Sequence, residues 1–403
     1  MSELRACAEC LRRSWLLALL GPYIERTATG SVGRRSPELL RLGNEDLVEV
    51  VAPDVAEHFL AEIAALTEAD LAERLEAAEC WSVCRHHDRY PPGLRDAADA
   101  PWALIGRGDR ELLCDLEPQA AVTIVGSRRA TTYGREVARE LAREVGTAGL
   151  VVVSGLAFGI DACAHRGAVD AGRRTLAVLG CGPDKAYPPA HRNLWRQVVE
   201  TGAVVSELPP GSTPWKWSFP ARNRVMAALA GMTVVVEAAA RSGSLITADL
   251  AADLGRDLGA VPGPVTSRVS AGPNELLAGG ACVVRDGQDI LDALLGAGAT
   301  RLQRFGPPLD PELAAVLAAI EGGGPDRDGA SGGAMTARAD AVAVALDLPA
   351  ARASAALVRL ELLGYLTPTQ IGTFTRTLLI PPPTPPTADP PAQAAHLGSS
   401  DGG

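Results

Sequence analysis

The sequence predicts an α/β protein: a doubly wound parallel sheet with helices on both faces, preceded by a helical region and followed by a small winged-helix-like unit. Three observations carry this. From about residue 116 to 300, short apolar segments alternate with Gly-rich turns and amphipathic stretches. Strands that are apolar on both faces belong in a sheet covered twice. In residues 1–115, Phe59, Ile63, Leu66, Leu71 and Leu75 recur at roughly helical spacing. Residues 301–380 read as three helices and a Thr-rich hairpin.

Taken in order, the amino-terminal part opens on Arg12, Arg13 and the apolar run 15–20. The run is too short for an export signal, no small-residue cleavage site comes after it, and Pro22 and Glu25 interrupt it. It reads as the first helix of a domain. The strand candidates of the central part are 121–125, 150–154, 174–179, 203–206, 232–237, 259–261 and 281–284. In such a sheet ligands gather at the carboxyl ends of the strands. A Gly/Asp/Ser-rich loop, 321–333, interrupts the third part, whose helices are expected at 311–320, 337–346 and 350–363. Residues 381–403 are Pro-rich with a Gly/Ser end and are expected to be disordered.

A chain of 403 residues, 47% hydrophobic, is long enough for two or three folded domains. Its 38 basic and 48 acidic side chains leave a net charge of -10. That argues against a protein coated in positive charge but permits a local basic groove. Two lysines, Lys185 and Lys216, stand against 36 arginines (38 − 2). No stretch approaches the ~18 apolar residues of a membrane span, so the expected location is cytoplasmic and no membrane partner is expected. Eight cysteines in a chain of this size do not suggest a disulfide framework. Cys7-x2-Cys10 and Cys80-x3-Cys84, near His86 and His87, have the residue types of a zinc site. Their irregular spacing favours ordinary buried or unpaired thiols over that site.

Five loops fall at the strand ends. Gly126, Ser127, Arg128 and Arg129 come after a strand and open a helix. A helix start and a pair of arginines can hold phosphate; the same residues also build a plain capped turn. Gly155, Phe158 and Gly159 form a second glycine loop running to Asp161 and His165. These two residues lack a third metal ligand nearby and are expected to fix the loop by hydrogen bonds. Lys185 lies in a third loop as a point charge for phosphate. The segment 214–224, PWKWSFPARNR, brings Lys216, Trp217, Phe219, Arg222 and Arg224 together. Aromatics interleaved with cations suit bases and backbone of a single strand, although Trp217 and Phe219 equally suit a core. Gly243 and Ser244 sit in a fifth loop, a small-residue anion nest or a capped turn. Several phosphate-sized sites along one sheet edge fit a polymer better than a single nucleotide.

The ordered segments GSRRATTYG, SGLAFGIDACAH, VLGCGPDKAYP, SELPPG, FPARNR, SGSLITA and GRDLGAVPG resemble the DprA/Smf family over roughly residues 89–290. The resemblance implies an extended Rossmann-like core with no catalytic turnover and no cofactor. It implies binding of single-stranded DNA, loading of RecA recombinase during natural transformation or related recombination, and a homodimer formed through the core. It implies a sterile-alpha-motif-type helical domain at the amino terminus and a winged helix at the carboxyl terminus. Carried over, the DNA-binding positions are Ser127, Arg128, Lys185, Arg222 and Arg224, with Gly155, Gly243 and Ser244 in the glycine loops. Phe158 stands where the family usually has Arg, so either the groove is weaker by a cation or this position offers a ring for stacking on a base. An enzymatic alternative is a nucleotide-processing protein of the phosphoribohydrolase-like Rossmann type. Those carry P-G-G-x-G-T-x-x-E, where this chain reads RSGSLITAD. No Walker A loop or complete G-x-G-x-x-G is present either.

Overall fold

The computed structural model describes residues 5–29, 35–95, 97–300, 302, 304–321, 336–368, 373–377 and 379–381. Of the expected loop at 321–333 and the expected tail at 381–403, all but residues 321 and 381 lie outside the described residues. The chain forms two compact units, Met1–Leu302 and Gln303–Gly403.

The first unit is built on nine strands: β1 (Trp81–Cys84), β2 (Ala103–Gly108), β3 (Ala121–Val125), β4 (Val151–Ser154), β5 (Thr175–Val178), β6 (Ala203–Ser206), β7 (Met232–Val235), β8 (Asp257–Ala260) and β9 (Cys282–Val283). They form one sheet in the order β1-β2-β6-β5-β4-β3-β7-β8-β9. The seven strands expected from sequence are β3 to β9, and they pair in parallel. Residues 81–108, grouped in the sequence reading with the amino-terminal part, supply two antiparallel strands at one edge. Their short apolar stretches carry no helical period and come before the strand–helix rhythm that begins at β3.

Alternation along each central strand fills both sides of the sheet. Ala121 and Val125 of β3 join a core with Val153, Val178, Val205 and Val235. Val122 and Ile124 point the other way, into a core with Val152, Met232 and Val234. On that second face lie α2 (Thr132–Thr147) and α3 (Ile160–Asp170), through Ala138, Leu141, Val145 and Ala164. The first face is closed by α4 (Ser218–Leu229), whose residues Ala221 to Leu229 are all buried, and by α5 (Gly243–Asp253). A helix buried all round has no solvent face on which to place charge, so Arg222 and Arg224 of α4 must find partners inside.

The amino-terminal helices, beginning with α1 (Ala8–Leu19), pack on the same unit. Leu16, Leu17, Leu20, Ile24 and Leu47 share a core with Leu208, Trp217 and Ala221. The second unit places α6 (Pro311–Glu321), α7 (Ala339–Ala345) and α8 (Ala350–Leu362) around Leu317, Leu357 and Leu360. Strand β10 (Arg304–Phe305) pairs with β14 (Leu379–Ile380). Strands β11 (Thr336–Arg338), β12 (Leu366–Pro368) and β13 (Thr373–Arg376) form an antiparallel sheet in the order β11-β13-β12. Among the described residues, no single helix is long and apolar enough to cross a membrane.

Candidate nucleic-acid interface

From β3 the chain winds outward through β4, β5 and β6, then returns to lay β7 on the other flank of β3. Loops leaving β3 and β7 therefore part from each other, and the carboxyl edge of the sheet opens between them. This reversal is where doubly wound sheets bind ligands. A cleft of about 590 Å³ lies there. Gly126, Ser127, Arg128 and Arg129 line it from the β3 loop, Lys216, Phe219 and Arg222 from the segment entering α4, and Ser242, Gly243 and Ser244 from the start of α5. A smaller cleft beside it shares Arg128, Ala157, Phe219 and Arg222, and adds Gly155, Phe158, Gly180, Cys181, Tyr187 and Pro188. The two form a groove across the ends of four strands.

The β3 loop is held at both ends. Ser127 donates its amide to the Glu237 carbonyl at 2.5 Å. The buried Glu237 carboxylate accepts from the amide and hydroxyl of Thr131 at 2.9 and 2.6 Å. Thr131 in turn caps α2 by accepting from the Gly134 amide. A Cβ on Gly126 would stand 2.6 Å from Ile160 and 2.8 Å from the Glu237 carbonyl, so only glycine fits. Between these anchors Arg128 and Arg129 are exposed. The Arg128 guanidinium lies 5.0 Å from the centre of the Phe219 ring, a cation–π contact that aims it over the groove.

Arg222 belongs to the site differently. It is 8% exposed and donates to the carbonyls of Gly155 and Val178, at the ends of β4 and β5. Asp161 lies 3.6 Å from it and also accepts from the Ala157 amide. Burial pushes the Asp161 carboxyl up and the Arg222 guanidinium down, while their mutual attraction opposes both shifts. A Cβ at position 155 would meet the Arg222 guanidinium at 1.8 Å, which explains Gly155. Arg222 thus ties the strand ends together with its donors largely spent inside the protein. Its expected role as a phosphate contact is corrected to that of a groove-floor support.

Two further expectations are corrected. Arg224, two residues further along the buried stretch 221–229 of α4, lines neither cleft. It is 3% exposed, paired with Glu207 and hydrogen-bonded to the Asp99 carbonyl. Trp217 is also 3% exposed; its indole donates to the Gly21 carbonyl at 3.0 Å and its amide to Glu25. It anchors the amino-terminal helices and has no free face for a base.

The aromatics at the groove are Phe219, Tyr187 and Phe158. Phe219 lies 5.7 Å from Tyr187, centroid to centroid. Phe158 is 47% exposed, its ring edge-on to His191 at 4.7 Å. Tyr187 was missed as a stacking candidate in the sequence; the signal was an aromatic one residue before a proline in a strand-end loop. Lys216 is exposed on the larger cleft. Lys185 lines neither cleft, and its ammonium donates to the Gly211 carbonyl on the neighbouring loop. His165 is buried with its ring against the Thr175 hydroxyl at 2.8 Å, and burial lowers its pKa to about 3. It is neutral and joins α3 to β5.

Around the groove the charged lining residues are Arg128, Arg129, Lys216 and Arg222 against Asp161. That carboxylate is buried and faces Arg222. A chain of net charge -10 therefore concentrates positive charge where its sheet opens. Elsewhere, Cys7, Cys10 and Cys84 come together with His86, whereas Cys80 donates to the Ala78 carbonyl. Of the four cysteines singled out in the sequence, Cys80 stands outside this group.

Comparison with known proteins agrees with the motifs. The family of DNA recombination-mediator protein A matches residues 81–295. Protein Smf of Escherichia coli is 37% identical over 228 residues, 55% of this chain and 60% of its own length. The DNA processing protein DprA assigned in Mycobacterium tuberculosis is 42% identical over 198 residues, 49% of this chain and 50% of its own. The match thus spans about half to three-fifths of these relatives. The X-ray structure of DNA processing protein A from Streptococcus pneumoniae superposes with a TM-score of 0.56 at 32% identity, covering 71% of this chain and 98% of that one. The chain belongs to the DNA recombination-mediator protein A family.

Proposed function

We propose that the chain binds single-stranded DNA along the groove at the carboxyl edge of its sheet and catalyses no reaction on it. The observation that carries this is the groove itself, which runs over several strand ends and combines exposed cations with exposed rings. Backbone phosphates meet Arg128, Arg129 and Lys216, with Lys185 extending the track beyond β5. Bases lie against Phe219, Tyr187 and Phe158. Stacking on rings is tolerant of sequence, and a cationic track suits any backbone. Duplex bases are already stacked on one another, so rings in a groove favour a single strand.

In this reading the protein shields incoming single strands and delivers RecA recombinase to them, acting as a homodimer in the cytoplasm. The amino-terminal helices are the family's sterile-alpha-motif-type domain, and the second unit is its winged helix. Helix α8 carries only Arg352 and Arg359 as cations, each paired with a carboxylate, Glu312 and Asp310. A role in protein contact suits it better than duplex recognition.

The test is fluorescence anisotropy with oligo-dT and a matched duplex across a salt series. The expected result is preference for the single strand, with Arg128→Ala/Lys216→Ala weakening it by roughly tenfold or more and flattening the log–log salt slope by about 0.7 per lost phosphate contact. Lys185→Ala gives a smaller loss that emerges only with longer oligonucleotides. Binding untouched by the double substitution rejects the groove. Turnover of a nucleotide in a parallel screen would favour the enzymatic alternative.

A further inference from the structure

Far from the groove, two short motifs from distant parts of the chain meet. Cys7 is the residue before α1 and Cys10 lies in its first turn, so both thiols sit at the amino end of that helix. The helix dipole favours thiolates there. Cys84 ends β1, and His86 lies in the turn just after it. The three sulfurs and a ring nitrogen of His86 all lie within 4.8 Å of one another.

Three of the six separations match the edges of a tetrahedron, and the others are under 4.8 Å. Cys7 Sγ is 3.9 Å from Cys84 Sγ. His86 Nδ1 is 3.4 Å from Cys7 Sγ and 3.5 Å from Cys10 Sγ. A central zinc with bonds of about 2.3 Å to sulfur and about 2.0–2.1 Å to nitrogen sets S···S edges near ~3.8 Å and S···N edges near ~3.6 Å. All three cysteines are free thiols, so no disulfide accounts for the cluster. The Cys7 amide also donates to Cys84 Sγ at 3.4 Å, the kind of N–H···S support that orients a metal-bound sulfur.

We propose that Cys7, Cys10, Cys84 and His86 bind one zinc ion that fastens α1 to β1, the edge strand of the sheet. Three sulfurs and one nitrogen in a tetrahedral set select zinc among common divalent ions. Four protein ligands leave no open position, so the ion is structural and not catalytic. The contacts it reinforces are few: Cys10, Leu11, Leu71, Leu75, Cys84 and Ile105 belong to one small core beneath the site. A cross-link between residues 77 apart restricts the unfolded chain and holds that small core closed.

The experiment starts from the full chain purified under reducing conditions, with bound metal measured by mass spectrometry. One zinc per chain is expected, falling well below one equivalent in Cys84→Ser and in His86→Ala and unchanged in Cys80→Ser. Because loss of a ligand can itself unfold the chain, wild-type protein is also stripped with a chelator and titrated with cobalt(II). The ligand-field bands of tetrahedral thiolate-bound cobalt should saturate at one equivalent, and zinc should restore the thermal midpoint lost on stripping. Wild type without zinc and without those bands, or zinc lost equally from Cys80→Ser, would overturn the assignment.

Discussion

The loop after β3 and the segment entering α4 contain the same kinds of residue and use them in opposite ways. Arg128 and Arg129 stand in water between two anchored loop ends. Arg222 and Arg224 are buried with carboxylates and carbonyls as partners. The difference is set by the helix into which each segment runs. The β3 loop precedes a helix with one wet face, so its cations stay outside. The second segment continues into a helix whose residues from Ala221 onward are all buried. A guanidinium there persists only if carboxylates such as Asp161 and Glu207 offset the cost of leaving water. Basic residues at a strand edge are therefore of two kinds, those that meet a ligand and those that build the surface on which it lies.

The sharpest way to break this contrast is Arg222→Met. The apolar stem is kept, but Asp161 and the carbonyls of Gly155 and Val178 lose their donor. Removing one partner from a buried ion pair costs about 3–5 kcal/mol, and chemical denaturation should show a loss of that size. Arg128→Ala in the same assay should stay within about 0.5 kcal/mol of wild type. Equal stability of the two variants would mean that burial does not separate their roles.

Much of this was legible in the sequence. Apolar strands with glycine turns marked β3 to β9, and the five loops named most of the groove residues. What escaped was decided by partners distant in the chain. Nothing near Arg224 announces Glu207, and nothing near Trp217 announces Gly21. His86, noted only as a neighbour of the cysteine pairs, takes the fourth place because the turn after β1 sets its ring nitrogen beside the sulfurs, which spacing does not announce.

A second, smaller effect sharpens the role of Arg222. Gly155→Ala places a methyl where the guanidinium lies, at 1.8 Å. Forcing atoms into a filled site costs about 1–3 kcal/mol. Combined with Arg222→Met, much of that penalty should vanish, because the obstructed group is gone and the two changes couple through direct contact. Additive losses in the double variant would place the strain of Gly155→Ala elsewhere, in the neighbouring backbone.

The finest test lies at Phe158, where a ring stands at the position of the family's usual arginine. With the ring 47% exposed and touching His191 edge-on, Phe158→Ala removes little packing, so stability should change by no more than about 0.5 kcal/mol. If the ring stacks on a base, oligo-dT affinity falls by about 1–3 kcal/mol, the range for one stacked base. No charge is removed, so the salt slope should not move, which separates this variant from Arg128→Ala. Phe158→Arg completes the comparison: a restored cation should steepen the slope by about 0.7 if it reaches a phosphate. Unchanged affinity in both variants would mean that the strand does not pass over β4, and the groove would shorten to the cleft between β3 and β7.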